Sequence, residues 1–118
     1  MVLMAAAGLR VGAQPVVAVM PLRAVGGVMP SEADVATTLL ETGLVKSAAV
    51  RVVERGEISQ VLAAQEYSYG GYMDENLAIK VGGLLSAQQI VLGSLARVGA
   101  RYFLTARLIE VATARTLR

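Results

Sequence analysis

The sequence predicts an α/β (α+β) domain. About three helices should pack on a mixed four-stranded sheet, in the order β-α-β-α-α-β-β, with a closing β-hairpin. Three observations carry this reading. Hydrophobic residues make up 55% of the 118 and aromatics only 4%, so the core must be built from Val, Leu, Ile and Ala, the composition of a sheet covered by helices. The apolar pattern is helical through the middle of the chain and switches to period two in the last third. The length suits one domain with a single modest core.

The elements follow in order. Residues 1–14 stand apart: Val2 to Leu9 is an apolar run too short to span a bilayer, and Val11-Gly12-Ala13 offers small residues at a cleavage-site spacing before Gln14. No basic residue precedes the run and Arg10 interrupts its end, so a signal-peptide remnant and a frayed or helical arm both stay open. Gln14-Pro15 opens the domain proper, expected over 15–118. Val16 to Leu22 (VVAVMPL) has no polar alternation and reads as a strand buried on both faces, with Pro21 near its end. Arg23 to Pro30, containing Gly26-Gly27, reads as a flexible connection.

Ser31 is a suitable N-cap for a first helix, with Glu32 and Asp34 in its first turn, Val35, Leu39 and Leu40 on its apolar face and Gly43 as its terminator. Ala49 to Glu54 is short and Val-rich, a second strand. Ile58, Val61, Leu62 and Gln65 trace one face of a second helix. The segment Tyr67 to Tyr72 interrupts the pattern, since Gly70-Gly71 favours no regular structure. A third helix starts near Asp74 and buries Leu77, Ala78, Val81, Leu84 and Leu85. From Ile90 the period becomes two: a hairpin turns at Gly99, and its second strand buries the Leu104/Leu108 face while showing Thr105 and Arg107.

Absences limit the chemistry. Without Cys there is no disulfide framework, thiolate nucleophile or zinc–thiolate site, and without His the usual general base and the commonest metal ligand are missing. No catalytic, cofactor-binding or metal-binding set emerges, and the chain reads as a protein without enzymatic function. Asp74-Glu75 and the Glu54/Glu57 pair are explained by helix capping and solvent exposure. Gly26-Gly27, Gly70-Gly71 and Gly82-Gly83 lack the Lys and the glycine spacing of phosphate loops. The net charge of +2, from 11 basic and 9 acidic residues, is scattered, which argues against nucleic acid as a partner.

The ordered strings VVAVMPL, VRVVERGEISQVLAAQE and LAIKVGGLLSAQQIVLGSLARVGARYFLTARLIEVATART resemble the CsgG family, over roughly Val16 to Thr116. That family includes the curli secretion channel, and the penicillin-binding-protein activator lipoproteins are similar; the N-terminal domain of TolB is similar in outline. The most specific pieces are Val53-Glu54-Arg55 with Ile58, the run Ile90 to Ser94 including Gly93, and Leu104 to Leu108 including Arg107. The resemblance implies a periplasmic domain associated with the outer membrane, acting in assembly or secretion by binding other proteins, as a homo-oligomer or within an envelope complex. Three departures stand out. The curli channel's membrane hairpins need about 9–11 residues per strand, and neither Tyr67 to Met73 nor the Gly99 turn holds such an insertion, so no membrane-spanning segment is expected. The family's acidic residue after the third helix is Gln88 here, and the lipoprotein Cys has no counterpart. The family would continue from a turn near Thr113-Ala114-Arg115 into another strand, leaving a sheet edge open to strand addition.

Two groups of residues invite a role. Tyr67, Tyr69 and Tyr72, around Gly70 and Gly71, are three of the chain's four tyrosines on one loop, suited to a protein interface or to covering the core edge. Glu54-Arg55 reads as a structural pair, with Arg55 reaching a helix end or a carboxylate. An alternative function is a small-ligand or nucleotide site at the carboxyl ends of the first two strands, near Gly26-Gly27 and Arg55.

Overall fold

The computed structural model describes residues 14–67 and 73–117. Along the chain lie β1 (Val16–Val19), β2 (Arg23–Val25), α1 (Pro30–Ser47), β3 (Arg51–Val52), α2 (Arg55–Ala64), α3 (Glu75–Leu84), β4 (Gln89–Val98), β5 (Arg101–Glu110) and β6 (Arg115–Thr116). They form one open mixed sheet in the order β3-β1-β4-β5-β6, with β2 also paired to β4. β1 is parallel to both β3 and β4, β2 is parallel to β4, and the last three strands are antiparallel. The class is the one expected. Among the described residues the strand number is six rather than four, because two short strands, β2 and β6, escape the hydrophobic pattern.

β2 exists because the first apolar run breaks and then resumes. Val19 pairs with Val91 and Arg23 with Ser94, so the first segment uses one more residue than β4 over the same stretch, as a bulge does. Pro21 has no N–H for the ladder. The next amide, Leu22 N–H, donates instead to Thr37 Oγ1 at 3.0 Å, and that hydroxyl donates to Ala33 O at 2.8 Å. The expected uniform strand over Val16–Leu22 is therefore two strands joined by a bulge, and Arg23–Val25 is not loop.

Helices cover both faces. On one, Ala18, Met20, Ile90, Leu92 and Ile109 pack against Ile58 and Leu62 of α2 and Ala78 and Val81 of α3. On the other, Val17, Val19 and Val91 meet Leu40 and Leu44 of α1, while Leu22, Val28 and Leu95 close on Ala33 and Ala36.

Several boundaries differ from expectation for local reasons. α1 begins at Pro30, a favoured first helical residue, with Met29 rather than Ser31 at the N-cap; Glu32 accepts the Met29 N–H at 2.9 Å. It runs through Gly43 to Ser47, because Leu44 gains burial beyond the glycine, and stops at Ala48 in the left-handed region (φ 58°). Its buried stripe is Ala33, Thr37 and Glu41 with Leu40 and Leu44 alongside, whereas Val35 and Leu39 are 59% and 67% exposed. Leu84 of α3 is likewise exposed, and the second strand shrinks to Arg51–Val52. Other expectations hold: Asp74 caps α3, and the hairpin turns through Gly99-Ala100 with Gly99 at φ +62°.

Candidate functional site

Length decides which part of one sheet face stays open. α2 and α3 have ten residues each, so each is ~15 Å long. β4 and β5 also have ten residues each, and ten extended residues reach ~33 Å. The two helices therefore cover one end of the β4–β5 hairpin and leave the other uncovered. At the covered end Ile90 and Ile109, a cross-strand pair, are fully buried. At the uncovered end Val98 is 67% exposed, and Tyr102, Phe103 and Leu104 are each about half exposed. This corrects the expected Leu104/Leu108 burial: on the α1 face Leu108 is half-buried and Leu104 half exposed, and the deeply buried residue of β5 is Ile109 on the opposite face.

The border between the halves is Gly93. Any Cβ there would stand 2.1 Å from Thr105 O and 2.9 Å from Ala106 Cα, so the two backbones approach each other as only glycine permits. Next to it, Ser94 Oγ and Thr105 Oγ1 are hydrogen-bonded at 2.9 Å. A cleft of about 270 Å³ opens here, lined by Arg23, Met73, Leu92, Ser94, Thr105 and Arg107, with Gly93 and Ala106 contributing backbone. Arg107 donates to Glu75 Oε2 at 2.7 Å, tying β5 to the first turn of α3. On the opposite face Tyr102 donates to Glu32 of α1. That hydrogen bond, followed by the Met29 N–H and the charge of Arg97, holds the Glu32 carboxyl below its ordinary value.

β5 also has an open edge. Leu108 O accepts from Leu117 N at 2.7 Å, so even-numbered residues of β5 turn their main-chain groups away from β4. Among the described residues no strand pairs with Tyr102, Leu104 or Ala106 on that side.

The residues singled out in the sequence fall into three groups. Gly93 and Arg107 both belong to the site. Arg55 is engaged elsewhere: it donates to Asp34 Oδ1 at 2.5 Å and Thr38 Oγ1 at 2.7 Å, and lies 3.4 Å from Glu41 Oε1. It fastens the start of α2 to α1, as a structural pair would, while Glu54 caps α2 and stays exposed. Burial is the main influence on Glu41 and raises its carboxyl above the ordinary range, with Arg55 opposing and Asp34 adding to the effect. Tyr67 is half-buried and packs against the core, its N–H donating to Leu62 O at 3.1 Å. Tyr69, Gly70, Gly71 and Tyr72 lie outside the described residues, as do residues 1–13. Gln88 Oε1 accepts the Val16 N–H at 2.9 Å, a task a carboxylate would also perform. The crevice beyond β1, where a ligand would enter an α/β sheet, is filled by β2, and a Cβ on Gly26 would lie 3.2 Å from Arg97 O.

Tyr102, Phe103 and Leu104 are the residues that pattern reading overlooked. For Phe103 the usable signal was the mismatch between ten-residue helices and a twenty-residue hairpin. Among the described residues no three or more carboxylates gather as a metal site, and no helix is long and apolar enough to cross a membrane.

Comparison with known proteins bears on this arrangement. The model of the family described as "Curli production assembly/transport component CsgG" matches residues 18–102, from β1 to the start of β5. The chain belongs to the CsgG family. The fold is similar to that of the LpoB C-terminal domain from Escherichia coli (TM-score 0.72, 17% identity, 88% of this chain and 77% of that one). The Salmonella enterica LpoB C-terminal domain is equally similar (TM-score 0.72, 19% identity, 91% and 81%). Lipoprotein GNA1162 from Neisseria meningitidis is more distant (TM-score 0.60, 12% identity, 87% and 74%). No curated protein gives a significant sequence match.

Proposed function

We propose that this chain is a non-enzymatic docking domain of the periplasm, associated with the outer membrane, which binds an envelope assembly or secretion machine through the uncovered half of its hairpin. The observation that carries this reading is the grouping of Val98, Tyr102, Phe103 and Leu104 on one projecting element beside an unpaired strand edge. Aromatic and aliphatic side chains exposed together mark interaction sites more often than catalytic ones. A sheet edge adds main-chain hydrogen bonds to whatever settles there. Membership of a family described by assembly and transport, and the likeness to lipoprotein GNA1162, support the envelope setting. The segment Tyr67 to Tyr72 directly precedes Met73, at the wall of the cleft, in the sequence. Self-association through the β5 edge is part of this reading, with a partner subunit as one occupant.

Site-specific photo-crosslinking from position 104, in the chain's own host, tests it. The expected result is a discrete adduct in the envelope fraction that is absent when the crosslinker stands at Ser59 on the far side of α2. Equal adducts from both positions, or adducts only with cytoplasmic proteins, contradict the proposal.

A further inference from the structure

Resting on the docking role just described, and deepening the self-association within it, we infer that a second copy of this chain packs on the α1 face of the sheet, with the two α1 helices antiparallel and crossing at Leu39. The row of five strands from β3 to β6 spans ~19 Å, about two helix widths. Two helices cover one face, and among the described residues α1 alone covers the other. α1 lies over β1, β2, β3 and β4, and the strip of β5 beside it, Tyr102, Leu104 and Ala106, stays exposed. The hydrogen bond from Tyr102 to Glu32 fixes which flank of α1 looks toward that strip. Steps of four, seven and eleven residues from Glu32 put Ala36, Leu39 and Gly43 on the same flank. With Ala36, Gly43 and Ala106 all small, α1 and β5 border an apolar trough. The outer side of the helix is apolar too: Val35 and Leu39 are exposed, and Ser31, Thr38 and Thr42 around them carry no charge. A helix side that meets only water is ordinarily charged.

The chain supplies its own complement, which makes the occupant a second copy. An antiparallel pair crossing at Leu39 sets Val35, four residues before it, against Gly43, four residues after it, on the other helix. It also sets Glu32 against Lys46, seven residues to either side. The acidic first turn of each helix thus meets the basic last turn of the other, an attraction that the opposed helix dipoles share. Neither Glu32 nor Lys46 forms an ion pair among the described residues. Tyr102 and the Met29 N–H hydrogen-bond the Glu32 carboxylate without cancelling its charge, and Arg97 acts on it only from a distance. Gly43 has no task inside one chain: glycine weakens a helix interior relative to alanine, and a Cβ there would meet nothing within 4 Å. Between crossing helices the missing side chain lets the backbones approach and receives Val35 of the other copy. Leu39 of each copy then lies toward Leu104 and Ala106 of the other, which gives the uncovered strip its cover. The lengths agree: the 18 residues of α1 reach ~27 Å and the ten of β5 ~33 Å. Such a pair uses the same patch twice and closes on itself.

Sedimentation equilibrium of the purified chain over a wide concentration range tests this, and a reversible dimer is expected. Leu39→Glu and Gly43→Leu should each raise its Kd at least about tenfold. Leu84→Glu, at an equally exposed leucine of α3 on the other sheet face, should not. Within one chain the new side chain of Gly43→Leu enters open space, so an unchanged or raised unfolding midpoint separates its effect from misfolding. The chain has no Cys, so Leu39→Cys under mild oxidation should give a covalent dimer that Leu84→Cys does not. A monomer at every concentration, a dimer that Gly43→Leu leaves intact, or equal crosslinking from positions 39 and 84 overturns the inference. If the chain is monomeric and its position-104 adduct with another envelope protein persists, the docking role stands and only the second copy is wrong. A dimer lost in Gly43→Leu, with no position-104 adduct other than the second copy, upholds the inference and removes the envelope partner.

Discussion

At the covered end of the β4–β5 hairpin, Ile90 and Ile109 are fully buried beneath α2 and α3. A few residues along the same two strands, Tyr102, Phe103 and Leu104 stand about half exposed. The two regions share their strands, their pairing and their apolar character. On the face of Ile109 and Phe103 what separates them is the reach of two short helices, whereas Tyr102 and Leu104 lie on the other face, beside the start of α1. An apolar residue under a helix contributes to folding, whereas the same residue past the helix end is available to another protein. Substitutions in the two regions should therefore affect different measurements.

The largest effect is expected at the border. Gly93→Ala would bring a methyl group within 2.1 Å of the Thr105 carbonyl oxygen, and the strands must part to admit it. We expect a loss of about 3 kcal/mol or more in denaturant unfolding. Within the covered region, Ile90→Ala should cost about 2–5 kcal/mol by the same measurement. A loss near zero would show that the covered end is not the core. Thr37→Val should cost about 1–3 kcal/mol, because the buried Leu22 N–H loses its acceptor where Pro21 interrupts the strand.

A smaller effect separates two carboxylates of α1. The raised Glu41 carboxyl holds its proton more tightly in the folded than in the unfolded chain. Its contribution is favourable below the ordinary value of 4.5 and is lost as pH rises through the folded value. Unfolding midpoints measured at about pH 4 and pH 7 should show that loss in the parent chain and not in Glu41→Gln. Glu32, lowered by Tyr102, has the opposite slope: its contribution is present above 4.5 and fades as pH falls through the folded value.

Much of the fold was legible in the sequence, because its period changes are sharp. The element order, the Asp74 cap and the Gly99 turn all follow from local chemistry. The misreadings share a cause: with more than half the residues apolar, an apolar stripe no longer identifies a buried face. On α1 the exposed Val35 and Leu39 look more core-like than Thr37 and Glu41, which are buried because Leu22 N–H and Arg55 satisfy them. β2, only Arg23–Val25, lies between a proline and two glycines and acquires its identity from the Ser94–Ala96 register, which is non-local. Gly93 and Arg107 were recognisable through the family resemblance. Their meeting with Arg23 and Ser94 was not, since it depends on the bulge at Pro21.

The account rests on the outer half of the hairpin serving a partner and not the core, and a double variant, Phe103→Ser with Leu104→Ser, tests that most directly. Its unfolding free energy should fall by no more than about 2 kcal/mol from the parent, while the native size of the envelope complex containing the chain collapses to that of the free domain. A domain that unfolds several kcal/mol more easily, or a complex of unchanged size, would contradict it.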